Sequence, residues 1–124
     1  MSEAKRTILI VDDDRSILRV FTRVLEKKGY IVTAVETGKD ALNQIEHNRF
    51  DAALIDLRLS DMAGTEILPE LQKTSPKTVK IVFTGSPDMP SFGNGQTKNM
   101  DAFLLKPVRP EVILGILDEK LKAA

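Results

Sequence analysis

The segment Phe50–Gly64, FDAALIDLRLSDMAG, constrains the fold of this chain more than any other part of the sequence. An uninterrupted apolar run from Ala52 to Ile55 ends on a carboxylate, Asp56, and a polar turn then leads to Gly64. Short runs of this kind, bounded by turn residues, are typical of strands that are buried on both faces of a parallel sheet. Open α/β sheets bind ligands outside the carboxyl ends of their strands, so Asp56 is predicted to lie at the ligand-binding edge.

Four further apolar runs extend this pattern to a sheet of five parallel strands. The predicted strands are Ile8–Val11, Ile31–Val35, the run that ends at Asp56, Val79–Phe83 and Ala102–Leu105. Apolar residues at helical spacing predict helices over about Asp14–Lys28, from Thr37–Gly38 onward, over roughly Thr65–Lys73 and from Pro110 onward. Strands that alternate with helices indicate a doubly wound α/β domain, with helices on both faces of the sheet.

The segment Ser86–Gly95, SPDMPSFGNG, interrupts the alternation where a helix is expected between strands four and five. Its two prolines and two glycines oppose a helix, which leaves at most a short turn over Gln96–Met100. We therefore predict that the fourth helix in chain order is short or absent.

Bulk properties restrict the class of protein. The length of 124 residues suits one domain, predicted to span residues 1–124, with a sizeable core. Eighteen basic and 18 acidic residues balance, so no general attraction to nucleic acid or a membrane surface is expected. The absence of cysteine excludes disulfides and thiolate metal sites. The first apolar run is too short for a signal peptide or a membrane span, so we expect a cytoplasmic protein.

Polar residues at the strand ends predict a site for a metal ion and a phosphoryl group. Asp12 and Asp13 follow strand one, Asp56 ends strand three, Thr84 follows strand four and Lys106 follows strand five. Three carboxylates in one cleft call for a cation, and oxygen ligands without His or Cys select Mg²⁺. Mg²⁺ recruits phosphate oxygens, while Lys106 offers a positive charge and Thr84 a hydroxyl donor. One carboxylate remains to act as a nucleophile that forms an aspartyl phosphate.

The motifs ILIVDDD, LIDLRLSDMAG, IVFTG and FLLKP, in this order, resemble those of the response-regulator receiver domain of two-component signalling. The resemblance covers essentially the whole chain and implies a flavodoxin-like (CheY-like) sheet with the strand order 2-1-3-4-5. By similarity, Asp56 would be the phosphoacceptor. Asp12 and Asp13 would bind Mg²⁺ together with Asp56 and the backbone carbonyl of Arg58.

The resemblance also implies a switch. Thr84 would hydrogen-bond the phosphoryl group, Lys106 would ion-pair with it, and Phe103 would turn inward as the switch aromatic. The Lys106–Pro107 peptide bond would be cis. The phosphoryl donor would be a sensor histidine kinase or a phosphotransfer protein. The output would be a conformational change passed to a downstream protein or effector domain, so we expect neither turnover of an external substrate nor direct contact with nucleic acid or membrane.

Three alternatives share parts of this pattern. A haloacid-dehalogenase-like phosphatase would use Asp12 as nucleophile and Asp14 as the second acid of an Asp-x-Asp motif, but no acidic pair follows Lys106 and Asp56 would have no role. A flavodoxin would present hydroxyls and amides, rather than three acids, to its flavin phosphate. A pseudo-receiver that acts only as an interaction module is opposed by the complete set of site residues and supported by the unusual Ser86–Gly95.

Overall fold

The computed structural model describes residues 5–85 and 100–122. Its strands are β1 (Thr7–Val11), β2 (Ile31–Val35), β3 (Ala52–Asp56), β4 (Val79–Thr84) and β5 (Ala102–Leu105). The α-helices of these ranges are α1 (Arg15–Lys27), α2 (Gly38–His47), α3 (Leu68–Thr74) and α4 (Pro110–Lys122). All strand pairs are parallel and their order is β2-β1-β3-β4-β5. The predicted fold class and strand order are therefore confirmed.

Two apolar cores lie on opposite faces of the sheet. Successive side chains of a strand point to opposite faces. Four buried residues of β1 and β3 face one core, which also contains α1 and α4, namely Ile8, Ile10, Ala52 and Leu54. Their neighbours face the second core, which contains α2 and α3, namely Leu9, Val11, Ala53 and Ile55. We call these the α1/α4 core and the α2/α3 core. Burial on both faces fixes the register of the central strands, and hence the positions of the residues at their ends.

Helix ends carry residues that favour capping. The carboxylate of Asp14 accepts hydrogen bonds from the first backbone amides of α1, and Gly29 follows this helix with a φ of 96°. Thr37 caps α2 in the same way, and Pro110 occupies the first position of α4. Asp14 thus serves as a helix cap, and its carboxylate is committed to α1.

Helix α3 begins later than predicted. The spacing of apolar residues indicates a helix over Thr65–Lys73, whereas the structure forms a 3₁₀ turn at Gly64–Glu66 and starts α3 at Leu68. Pro69 explains the difference, because it has no amide hydrogen and its ring would collide with the carbonyl of Thr65 in a continuous α-helix. In the observed arrangement Pro69 lies in the first turn of α3, where no hydrogen bond is lost.

Helices of the described ranges are short. The longest, α1 and α4, have 13 residues each, and no helix of these ranges is long and apolar enough to cross a membrane. The helix predicted to be short or absent between strands four and five would fall on Ser86–Gly95, which lies outside the described residues.

Gly64 lies where the connection from β3 to α3 passes over the end of β3. Its amide donates a hydrogen bond to the carbonyl of Leu57 at 2.6 Å. A Cβ at this position would stand 2.9 Å from Ile55 Cγ2 and closer still to the carbonyl oxygen of Asp56. Only glycine lets the chain approach Asp56 so closely.

We expect Gly64→Ala to lower the free energy of unfolding by about 1–3 kcal/mol, because the added methyl group overpacks the end of β3. Gly115→Ala is a matched control. A Cβ at Gly115 would meet no atom within 4 Å, and the residue lies inside α4, so alanine should raise the free energy of unfolding by about 0.5–1 kcal/mol. Urea denaturation followed by circular dichroism measures both changes. Effects of the same sign would contradict this account of Gly64.

Candidate functional site

Asp12, Asp13 and Asp56 form an acidic cluster at the carboxyl edge of the sheet. Each offers a carboxylate oxygen, and these oxygens all lie within 4.8 Å of one another. The cluster forms because β1 pairs with β3 in a register that places Val11 beside Ile55. Asp12 is 0% and Asp56 3% exposed, whereas Asp13 is exposed. The cluster therefore has a buried base and one side open to solvent.

Lys106 reaches the same cluster from the end of β5. Its Nζ lies 2.9 Å from Asp12 Oδ2 and 3.2 Å from Asp56 Oδ2. Both contacts are ion pairs, and the one with Asp56 is also a hydrogen bond. One ammonium thus bridges two buried carboxylates, and with Asp13 the cluster retains an excess of negative charge.

Burial dominates the electrostatics of the cluster. It raises the pKa of Asp56 above its ordinary value, and the charge of Asp12 adds to this rise. The backbone amide of Arg58, which donates to Asp56 Oδ1 at 3.1 Å, and the charge of Lys106 lower the pKa of Asp56 only in part. Burial alone would lower the pKa of Lys106, but Asp12 and Asp56 together raise it. The Lys106 ammonium therefore stays charged, and it neutralises only part of the negative charge of the three acids.

The donor set of this cluster fits a hard divalent cation. All candidate ligand atoms are carboxylate oxygens, and the described residues around them include no histidine ligand. Mg²⁺ prefers such oxygen ligands, and the open side at Asp13 leaves room for the waters that it retains. Arg58 is held beside the cluster, because it forms an antiparallel bridge with Ala63 and donates its amide to Asp56. The proposed use of the Arg58 carbonyl as a ligand stays a prediction.

Thr84 and Phe103 lie on the two strands beyond β3. Thr84 is the last residue of β4, is 1% exposed, and follows Phe83, which is in register with Asp56. Phe103 is in register with Val82, further from the edge of the sheet, and is partly buried against the α2/α3 core. The structure thus gathers the acids and Lys106 at one point, with Thr84 at the next strand end and Phe103 behind it. The peptide bond between Lys106 and Pro107 is cis, as expected.

Asp61 is a structural contributor that the sequence analysis missed. Its two carboxylate oxygens accept hydrogen bonds from the backbone amides of Gly38 and Lys39, each at 2.9 Å. These bonds lower the pKa of Asp61 and tie the loop after Asp56 to the start of α2. The polar turn in the sequence indicates a loop, but no local pattern reveals that its acid caps a helix elsewhere in the chain.

Asp13→Asn should weaken Mg²⁺ binding by at least about tenfold, because it removes one negative charge from within a few ångströms of the ion. Asp14→Asn is the matched control, since Asp14 caps α1 and asparagine caps a helix equally well. Isothermal titration with MgCl₂ measures the affinity, and the rise in melting temperature with Mg²⁺ provides a second readout. Similar affinities for the two variants would contradict the placement of the ion at Asp13.

Lys106→Gln should strengthen Mg²⁺ binding by roughly tenfold, because the ammonium already neutralises Asp12 and Asp56 and repels a second cation. Lys28→Gln, an exposed lysine after α1, removes the same charge at a distance and should leave the affinity nearly unchanged. The same titration applies. Weaker binding in Lys106→Gln would mean that the ammonium does not compete with the ion.

Comparisons with known proteins agree with this geometry. The family model of the response regulator receiver domain matches residues 8–118. The CheY-like receiver domain protein of Methanospirillum hungatei JF-1 is 38% identical, with a TM-score of 0.86 over 98% of this chain and 100% of that one. The BeF3-activated receiver domain of DrrB, a Thermotoga maritima protein, is 30% identical, with a TM-score of 0.85 over 96% of this chain and 99% of that one.

This chain is also similar to part of a longer protein. The transcriptional regulatory protein GlrR of Escherichia coli K12 is 29% identical over 122 residues. The match takes in 98% of this chain but only 28% of GlrR, so the chain spans less than a third of that relative. The fold, the strand-end acids and the family match together show that the chain belongs to the response regulator receiver domains of two-component systems.

Proposed function

We propose that Asp56 accepts a phosphoryl group, with Mg²⁺ bound, from a sensor histidine kinase or a phosphotransfer protein. The receiver then changes conformation and signals to a downstream protein or effector domain. One observation carries the proposal. Asp56 is a buried carboxylate held by Arg58 on one oxygen and Lys106 on the other, with oxygens of Asp12 and Asp13 within 4.8 Å.

Each side chain of the cluster has a distinct role in phosphoryl transfer. An oxygen of the Asp56 carboxylate forms a bond to phosphorus while the bond from phosphorus to the donor's histidine nitrogen breaks, which yields an acyl phosphate. Asp12 and Asp13 would hold Mg²⁺, which neutralises charge on the phosphoryl oxygens. Lys106 supplies a further positive charge, in a buried setting where it is worth more than in water.

The proposed output passes through Thr84 and Phe103. Thr84 ends the strand next to that of Asp56, and its hydroxyl would donate a hydrogen bond to a phosphoryl group there. β5 is the edge strand next to β4, and Phe103 is partly buried rather than fully packed. In this proposal a shift at Thr84 is passed to Phe103, which would then turn inward.

The longer relatives support a receiver that works beside other domains. GlrR is a transcriptional regulator, and the CAI-1 autoinducer sensor kinase/phosphatase CqsS of Vibrio cholerae matches this chain over only 17% of its own length. We assign the output to such a partner or linked domain. We assign no nucleic-acid contact to the receiver itself, whose charge balance is zero.

Asp14 argues against the phosphatase alternative. A phosphatase with Asp12 as nucleophile would need Asp14 as its acid in the same cleft. The carboxylate of Asp14 instead accepts hydrogen bonds from Ser16 and Ile17, and among the described residues it is not part of the acidic cluster. A role without phosphorylation is opposed by the buried charge of Asp56, which a purely structural domain would not require.

Incubation with Mg²⁺ and a small acyl phosphate tests the proposal. Intact-protein mass spectrometry should show one added phosphoryl group, mapped to Asp56, and Asp56→Asn should abolish it. Asp12→Asn should slow labelling by at least about a hundredfold through loss of charge stabilisation. Asp14→Asn, which keeps the cap of α1, should label at nearly the normal rate. Labelling at Asp12, steady release of phosphate from varied substrates, or no adduct at all would overturn the proposal.

A further inference from the structure

The Lys106 ammonium has a third contact besides its two carboxylates. Its Nζ lies 5.2 Å from the centroid of the Phe83 ring, which is within the range of attraction between an ammonium and an aromatic face. Phe83 directly precedes Thr84 in β4 and is 1% exposed. The contact therefore joins the site to the interior of the α1/α4 core.

The Phe83 ring is held in place from the core side. The Phe21 ring lies beside it, with centroids 6.3 Å apart and a tilt of 38°. A cavity of about 320 Å³ adjoins both rings, and its lining is Ile17, Phe21, Phe83, Lys106, Pro107 and Val108. This lining is apolar apart from Lys106. The face of the Phe83 ring is the group on this side that contacts the ammonium.

Burial alone does not account for an aromatic residue at this position. Leucine or isoleucine would also fill a large site in the α1/α4 core. An ammonium placed over an aliphatic side chain, however, loses water on that side and gains nothing in return. The ring face compensates for this loss because its quadrupole is negative toward the cation.

The ring also differs from the carboxylates in what competes for it. Asp12 and Asp56 hold Lys106 in this structure, and the same two side chains are proposed to bind Mg²⁺ and to accept the phosphoryl group. A divalent cation at Asp12 would compete with Lys106 for that carboxylate. Neither the cation nor the phosphoryl group competes for the face of Phe83.

We propose that Phe83 is a positioning residue, whose ring holds the Lys106 ammonium within reach of Asp56 while the carboxylates change partners. The inference rests on the proposed function of Asp56 and adds a residue to its site. Phe83 does not touch the reacting atoms. It acts through Lys106, so weakening the ring's attraction for a cation should affect the site even when the shape of the ring is kept.

Stepwise fluorination of the Phe83 ring provides this test. 4-Fluoro-, 3,5-difluoro- and 3,4,5-trifluorophenylalanine withdraw electron density from the ring face with little change in shape. With Mg²⁺ present, the rate of acyl-phosphate labelling at Asp56 should fall in steps, to about threefold to tenfold below the unmodified protein. In protein labelled with ¹⁵N-lysine, exchange of the Lys106 ammonium protons with water should become faster along the series.

The same series at Phe21 is the matched control. Phe21 belongs to the same core and the same aromatic pair, but the cation contact in the described structure is with Phe83. Constant values along the Phe83 series, or equal changes in the Phe21 series, would overturn the inference. The proton-exchange measurement needs no phosphorylation, so it tests Phe83 even if unmodified Asp56 accepts no phosphoryl group, a result that would instead overturn the proposed function.

Discussion

The rest of the structure depends on the balance of charge between Lys106 and the two buried acids, Asp12 and Asp56. Two unit charges of like sign about 4 Å apart repel by roughly 4 kcal/mol at an effective dielectric near 20. Folding brings these acids together because β1 and β3 are buried on both faces and cannot shift their register. Burial of the apolar cores thus stabilises the fold in spite of a local excess of negative charge, which Lys106 only partly offsets. The site is left ready to gain free energy from a further cation.

The loop after β3 keeps this site compact. Gly64 lets the chain pass over the carbonyl of Asp56, and the amide of Arg58 is thereby held against the Asp56 carboxylate. Asp61, between them in sequence, anchors the loop to the start of α2. The three contacts use backbone atoms on at least one side, so the geometry around Asp56 depends on chain path more than on side-chain packing. Such a site is pre-organised before any ligand arrives.

Sequence patterns predict the sheet and the cluster because both follow from the simplest rules of strand geometry. A buried parallel strand requires a continuous apolar run, and the ends of such strands meet at one edge, which is why Asp12, Asp56 and Lys106 could be placed together. The start of α3 was predicted wrongly, because apolar spacing continues through a turn that Pro69 forces into a different hydrogen-bond pattern. The role of Asp61 could not be predicted, since its partners lie more than twenty residues away. The contact of Phe83 with Lys106 could not be predicted for another reason. In a sequence, an aromatic residue that faces a cation cannot be distinguished from one that only fills the core.

The alternation of side chains along β4 determines where substitutions that compensate for a defect in this domain would lie. Phe83 belongs to the α1/α4 core and Val82 to the α2/α3 core, so Thr84, two residues after Val82, points to the α2/α3 side. In the proposed roles, Phe83 would therefore hold the Lys106 ammonium on one side of the sheet and Thr84 would present its hydroxyl on the other. Substitutions of Phe83 that impair the chemistry and substitutions of Thr84 that impair its transmission would then be neighbours in the sequence. Second substitutions that compensate for them would lie on opposite faces of the sheet.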